Sequence, residues 1–121
     1  MTQLPEQAIE KVAHYFQALA EPTRLRILNL LRQDEHNVGE LADACGYTAA
    51  NMSRHLALLM QQGLVKRESR GNNVYYQIAD PTIYALCDLV CDRIAQHHQA
   101  QAWPALATPH KSSTAKKKAL A

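Results

Sequence analysis

The sequence predicts a mainly α domain, of α+β type, with five helices and a two-stranded β-hairpin set before the last of them. Three observations carry this. Apolar residues recur at helical spacing in five separate segments. Two short β-rich runs flank the turn residues Gly71-Asn72-Asn73. Beyond His98 the periodicity stops and Ala, Gln, Ser and Lys take over, with Pro104 and Pro109 among them. Residues 1–98 therefore read as one folded domain, and 99–121 as a disordered basic tail.

The elements follow in order. Pro5 to Ala20 forms a first helix with Ile9, Val12, Phe16 and Leu19 on one stripe. Glu21-Pro22-Thr23 breaks it and opens a second, since proline in the first turn gives up an N–H that has no partner there. That helix, 23–32, is expected to bury Leu25, Ile27, Leu28 and Leu31. Asp34 to Asn37 reads as a polar turn. Val38 to Cys45 is a short helix presenting Val38, Leu41 and Ala42, and Gly46 stops it. Thr48 is a good N-cap for a longer helix, 49–62, whose apolar face is Met52, Leu56, Leu59 and Met60. A short helix, a tight glycine turn and a longer helix make a helix-turn-helix. The runs 64–67 and 74–78 supply the hairpin, its wing. Asp80-Pro81 opens the last helix, with Ile83, Leu86, Cys87, Val90 and Ile94 along one stripe.

With 47% hydrophobic residues and 20% charged, the chain has the composition of a folded soluble protein. It has no run of about eighteen apolar residues to span a membrane, and its first ten residues lack the basic start of a signal peptide. Three irregularly spaced cysteines do not make a disulfide framework, so a reducing cytoplasm is expected. Charge is unevenly spread. Residues 48–79 hold Arg54, Lys66, Arg67 and Arg70 against Glu68 alone, between flanks where acids outnumber bases. A basic island of this kind suits a surface that faces phosphate.

The stretch Ala18-Leu19-Ala20-Glu21-Pro22-Thr23-Arg24-Leu25-Arg26-Ile27-Leu28 resembles the second-helix signature of the ArsR/SmtB family of winged helix repressors. Val38-Gly39-Glu40-Leu41-Ala42, Ser53-Arg54-His55-Leu56-Ala57-Leu58-Leu59, Gly63-Leu64-Val65 and Val74-Tyr75-Tyr76-Gln77-Ile78 are similar to that family's later blocks, in order and at normal spacing. Ordered blocks over residues 9–98 are more specific than any single motif. The resemblance implies a homodimer built on the first and last helices, with two recognition helices entering successive major grooves of operator DNA. It also implies a repressor that releases DNA when an effector binds.

Burying Met52, Leu56 and Leu59 turns Ala50, Asn51, Arg54 and Ala57 outward. Small residues near the start of the helix allow close approach to the groove, and Thr48 can donate to a phosphate. Asn51 suits an adenine edge and Arg54 a guanine or a phosphate. His55 lies between faces, with phosphate contact and a bond to a neighbouring helix both open. Around the hairpin, Lys66, Arg67, Arg70, Asn72 and Asn73 suit a minor groove or its phosphate walls, adding salt-dependent affinity more than sequence choice.

The signal is less legible. In the family, one metal site uses cysteines at the start of the third helix; the matching positions here are Asn37, Gly39 and Ala42, none of them cysteine. The other uses Asp and His ligands on the last helix, where this chain keeps Asp80 but has Thr82, Arg93 and Gln96. Cys87 and Cys91 remain, four apart and so on one helical face. Thiolates at that spacing can hold a soft metal or metalloid ion, or act as a redox or persulfide pair. The opposing reading makes both small buried hydrophobes. Cys45 reads as core or cap, and His97-His98 with Asp92 as a polar helix end. With no nucleophile set beside a base, an enzyme is not expected.

Overall fold

Residues 3–98 are described by a computed structural model of the chain. They form α1 (Glu6–Leu19), α2 (Pro22–Leu30), β1 (His36–Asn37), α3 (Val38–Cys45), α4 (Ala49–Gln61), β2 (Val65–Arg70), β3 (Asn73–Ile78) and α5 (Thr82–His98). Two compact units divide between Pro81 and Thr82, so α5 stands as a unit by itself. The tail expected from residue 99 onward lies outside the described residues.

Local chemistry sets the helix ends. Pro22 opens α2, and the Glu21 carboxylate caps it by accepting the Arg24 backbone N–H at 3.0 Å. Asn37 and Glu40 form a reciprocal capping box on α3: Asn37 Oδ1 accepts from Glu40 N at 2.8 Å, and Glu40 Oε1 accepts from Asn37 N at 3.1 Å. Gly46 then closes α3 with φ 71, a left-handed conformation that costs a side-chain-bearing residue strain. Thr48 caps α4, its Oγ1 accepting from Asn51 N at 3.1 Å.

Between these ends the apolar periodicity does the packing. Ile27, Leu28 and Leu31 from α2 and its end, Leu41 and Ala42 from α3, Met52, Leu56 and Leu59 from α4, and Leu64 and Val65 are all buried. They are the core of the first unit, and burying each large one stabilises it by roughly 1.5–3 kcal/mol. The position of α4 is fixed by its own side chains.

Three expectations need correction. Residues 34–37 are not wholly a turn: His36 and Asn37 form β1, antiparallel to Tyr76 and Tyr75 of β3. The sheet therefore has three strands in the order β1-β3-β2 rather than two. A two-residue strand carries no period, which is why residue patterning missed it. Leu25 is 41% exposed rather than buried, because α2 turns Ile27 and Leu28 inward. The α1 stripe of Ile9, Val12 and Phe16 is exposed, and Ala18 is the buried residue of that helix. The hairpin pairs Arg70 with Asn73, leaving Gly71 and Asn72 as a two-residue loop. Gly71 has φ 64, as the tight turns matched to strand twist require at that place.

Candidate nucleic-acid interface

The inward stripe of α4 leaves a definite outward face. Ala50 and Asn51 are exposed there with Arg54 one turn beyond them, and Ala49 and Ala50 keep the N-terminal end narrow. Thr48 is exposed beside them; its oxygen serves as the cap, and its hydroxyl hydrogen is still available to an acceptor. Of the basic wing residues, Lys66 and Arg67 are exposed on β2. Asn72 and Asn73 are exposed at the hairpin end.

Arg70 behaves differently from the other expected contacts. Both of its terminal nitrogens bond the Glu35 carboxylate, Nη1 to Oε2 at 2.7 Å and Nη2 to Oε1, while Nη2 also reaches Glu68 Oε1 at 3.3 Å. Gln77 Nε2 donates to the same two carboxylates, at 2.8 and 3.1 Å. The guanidinium lies 4.7 Å from the centre of the Tyr75 ring. Alternation along paired strands puts Glu68, Arg70, Tyr75 and Gln77 on one sheet face, and the segment leading into β1 brings Glu35 to it. The wing's one tip arginine is thus held by two acids.

The hydrogen bonds from Arg70, and next from Gln77, pull the Glu35 carboxyl down to about 2. Because the folded value is depressed, the interaction is present above the ordinary carboxylate range and is lost only as pH falls through about 2. Carboxyl-resolved NMR titration is expected to find Glu35 still ionised at pH 3, where free exposed acids are protonated. An ordinary titration near pH 4 would show that the pair does not form in solution.

His55 is bonded into the domain. Its Nδ1 lies 3.1 Å from Arg24 Nη1, its ring stands 5.8 Å from that of Tyr47, and Glu21 Oε1 is 4.0 Å away. Arg24 reaches further, donating from Nε to Ala18 O at 2.6 Å and from Nη2 to Gln17 O at 3.0 Å, which ties the end of α1 to α4. Tyr47 is anchored by Thr23, whose buried Oγ1 donates to the phenol oxygen at 3.0 Å. Patterning missed Arg24, Tyr47 and Glu35 as partners of this region. Their partners lie 24 to 35 positions away, and no local period signals them.

On α5, Cys87 and Cys91 are half-buried and not disulfide-bonded. Burial, and then the neighbouring Asp88 and Asp92 charges, push the Cys91 thiol up. Among the described residues no group of three or more His, Cys, Asp or Glu is disposed to hold a metal ion. No described helix is long and apolar enough to cross a membrane.

A helix-turn-helix with an exposed polar second helix, followed by a basic antiparallel wing, defines a winged helix transcription regulator. Residues 21–67 match the family described as bacterial regulatory protein, arsR family. The chain is 37% identical over 87 residues to a Synechocystis protein named transcriptional repressor SmtB homolog, over 72% of this chain and 66% of that one. It is 38% identical to the Mycobacterium tuberculosis HTH-type transcriptional regulator NmtR, over 70% of this chain and 71% of that one. Its fold matches the homodimeric winged helix-turn-helix DNA-binding domain of a possible ArsR-family regulator from Mycobacterium bovis. That match has TM-score 0.67 and 35% identity and covers 82% of this chain and 96% of that domain. The chain belongs to the arsR family of bacterial regulatory proteins.

Proposed function

We propose that the chain is a cytoplasmic repressor that binds operator DNA as a homodimer and is released by an effector. The observation that carries this is the outward face of α4, where Ala50, Asn51 and Arg54 stand exposed beside the exposed Lys66 and Arg67 of the wing. Asn51 and Arg54 read base edges, Thr48 and the wing lysine and arginine position the helix on phosphates, and Asn72 and Asn73 approach the minor groove. Exposed Ile9, Val12 and Phe16 on α1, and exposed Leu89 and Val90 on α5, are apolar surface of the kind a second copy covers. The Mycobacterium bovis neighbour is a homodimer, which supports the same state here. The chain acts by binding, without catalysis.

For the effector, the candidate is the Cys87 and Cys91 pair, taking a soft metal or metalloid ion, or a reactive sulfur or oxidant species. Their i, i+4 placement on α5 supports it. A second reading, in which the cysteines only pack, is favoured by the raised Cys91 thiol, since metal and oxidant both need the thiolate. The test is binding of the reduced protein to a duplex selected by it from random sequence, with and without soft metals, arsenite, peroxide and polysulfide. Release by one effector, abolished by Cys87→Ser/Cys91→Ser, is the expected result. Metal-driven release is expected to strengthen as pH rises, because each bound thiol must lose a proton. Equal binding under all conditions in both proteins would return the cysteines to packing. No selected duplex at all would end the repressor reading.

A further inference from the structure

Beside the outward face of α4 lies a cleft of about 280 Å³, lined by Arg24, Tyr47, Asn51, Arg54, His55 and Leu58. We infer that this cleft seats one backbone phosphate of the bound duplex, with Arg24, Tyr47 and His55 as its anchoring residues. The inference rests on the DNA-binding reading above and adds to it a phosphate site in which Arg24 of α2 and Tyr47 of the α3–α4 turn join His55 of the recognition helix α4.

The donor chemistry suits a phosphodiester. Arg24 has five N–H groups, of which three are held by Ala18 O, Gln17 O and His55 Nδ1. Those partners are two carbonyls and an imidazole, so no carboxylate hydrogen-bonds the guanidinium, although the Glu21 carboxylate is near enough to feel its charge. This is the opposite of Arg70, which two acids hold. Arg24 is also fixed in place by the same bonds, so ordering it costs a phosphate little. A guanidinium can only donate, so His55 Nδ1 must be the lone-pair nitrogen, and its Nε2 then carries the hydrogen. Tyr47 is held at its oxygen by Thr23 and keeps its own hydroxyl hydrogen to give. Arg54 adds charge at the rim, and Leu58, 40% exposed, offers an apolar wall to a deoxyribose. The acid nearest His55, Glu21 at 4.0 Å, is one charge against two arginines, and its oxygen already caps α2.

The occupant is a phosphate of the duplex rather than a free anion because Asn51 and Arg54 belong both to the cleft and to the exposed face of α4. Whatever that face touches brings its backbone to the cleft.

The test replaces single phosphates of the selected duplex by neutral methylphosphonates, one position at a time. For the wild type, one position per half-site is expected to cost about tenfold in affinity. In Arg24→Gln the same replacement is expected to cost less than about twofold, the loss having been taken already, and the salt slope falls by about one. Since Arg24 also ties α1 to α4, Tyr47→Phe serves as the second variant: it keeps the ring beside His55 and removes only the hydroxyl, and it is expected to blunt the same position. Two results would overturn the inference. One is full methylphosphonate sensitivity at every position in both variants while they still bind the duplex. The other is displacement of the duplex by low millimolar inorganic phosphate at constant ionic strength, which would make the cleft a free-anion site. Failure of the wild type to bind any selected duplex would instead end the DNA-binding reading.

Discussion

Replacing Leu56 by alanine is expected to destabilise the domain by about 2–5 kcal/mol, a large share of the roughly 5–15 kcal/mol such a domain has. Leu56 is fully buried in the middle of α4, with Met52 and Leu59, also fully buried, on either side of it along the same stripe. The cost is the lost burial of the side chain and the cavity left where α4 packs against α2 and α3, which relax only in part. Urea unfolding followed by circular dichroism measures it. A loss under about 1 kcal/mol would mean that this stripe is not what seats the helix. The same cavity loosens the element that presents Asn51 and Arg54, so DNA affinity is expected to fall even where the variant remains folded.

The second large effect is expected at Arg54, on the other side of the same helix. Arg54→Ala is expected to weaken binding to the selected duplex by about 1–3 kcal/mol, and binding to random duplex by much less. The ratio of the two affinities is the decisive quantity. Arg54 is exposed, one turn beyond Asn51, where a guanidinium can meet a guanine edge two-pronged. Equal loss on both duplexes would make Arg54 a phosphate contact and leave base choice to Asn51. Lys66→Ala, by comparison, is expected to lower both affinities alike and to reduce the salt slope by about one.

The residues of α3 and α4 announce their helices because capping, periodicity and the glycine stop all agree there. Thr48 starts α4, Gly46 separates the two, and α3 ends at Cys45 where the pattern places it, while the cap of α3 by Asn37, read as part of a polar turn, emerges only in the structure. The hairpin was equally plain from Gly71 and its flanking β-branched and aromatic residues. What stayed hidden depends on partners far along the chain. β1 exists only because Tyr75 and Tyr76 pair with it. Arg70 looked like a wing-tip cation, and nothing near it in sequence announces Glu35. His55 was legible as a residue with two fates, and the bond from Arg24 gives it a fixed place in the domain. The outward set on α4 could be read from the inward one, since a helix that buries Met52, Leu56 and Leu59 has no choice about where Asn51 and Arg54 go.

The strand order has a further consequence for how copies of the protein coexist. With β3 in the centre and β1 on its far side, β2 is an outer strand of the sheet, and its outer backbone groups are unpaired within it. Five of its six residues are exposed, and they read Lys-Arg-Glu-Ser-Arg, with Glu68 drawn into the Arg70 cluster. A rim so charged, with a hydrophilic side chain at every turn of the pleat, is a poor template for a strand from another molecule. Two copies that meet wing to wing therefore gain little from pairing these edges into a continuous sheet.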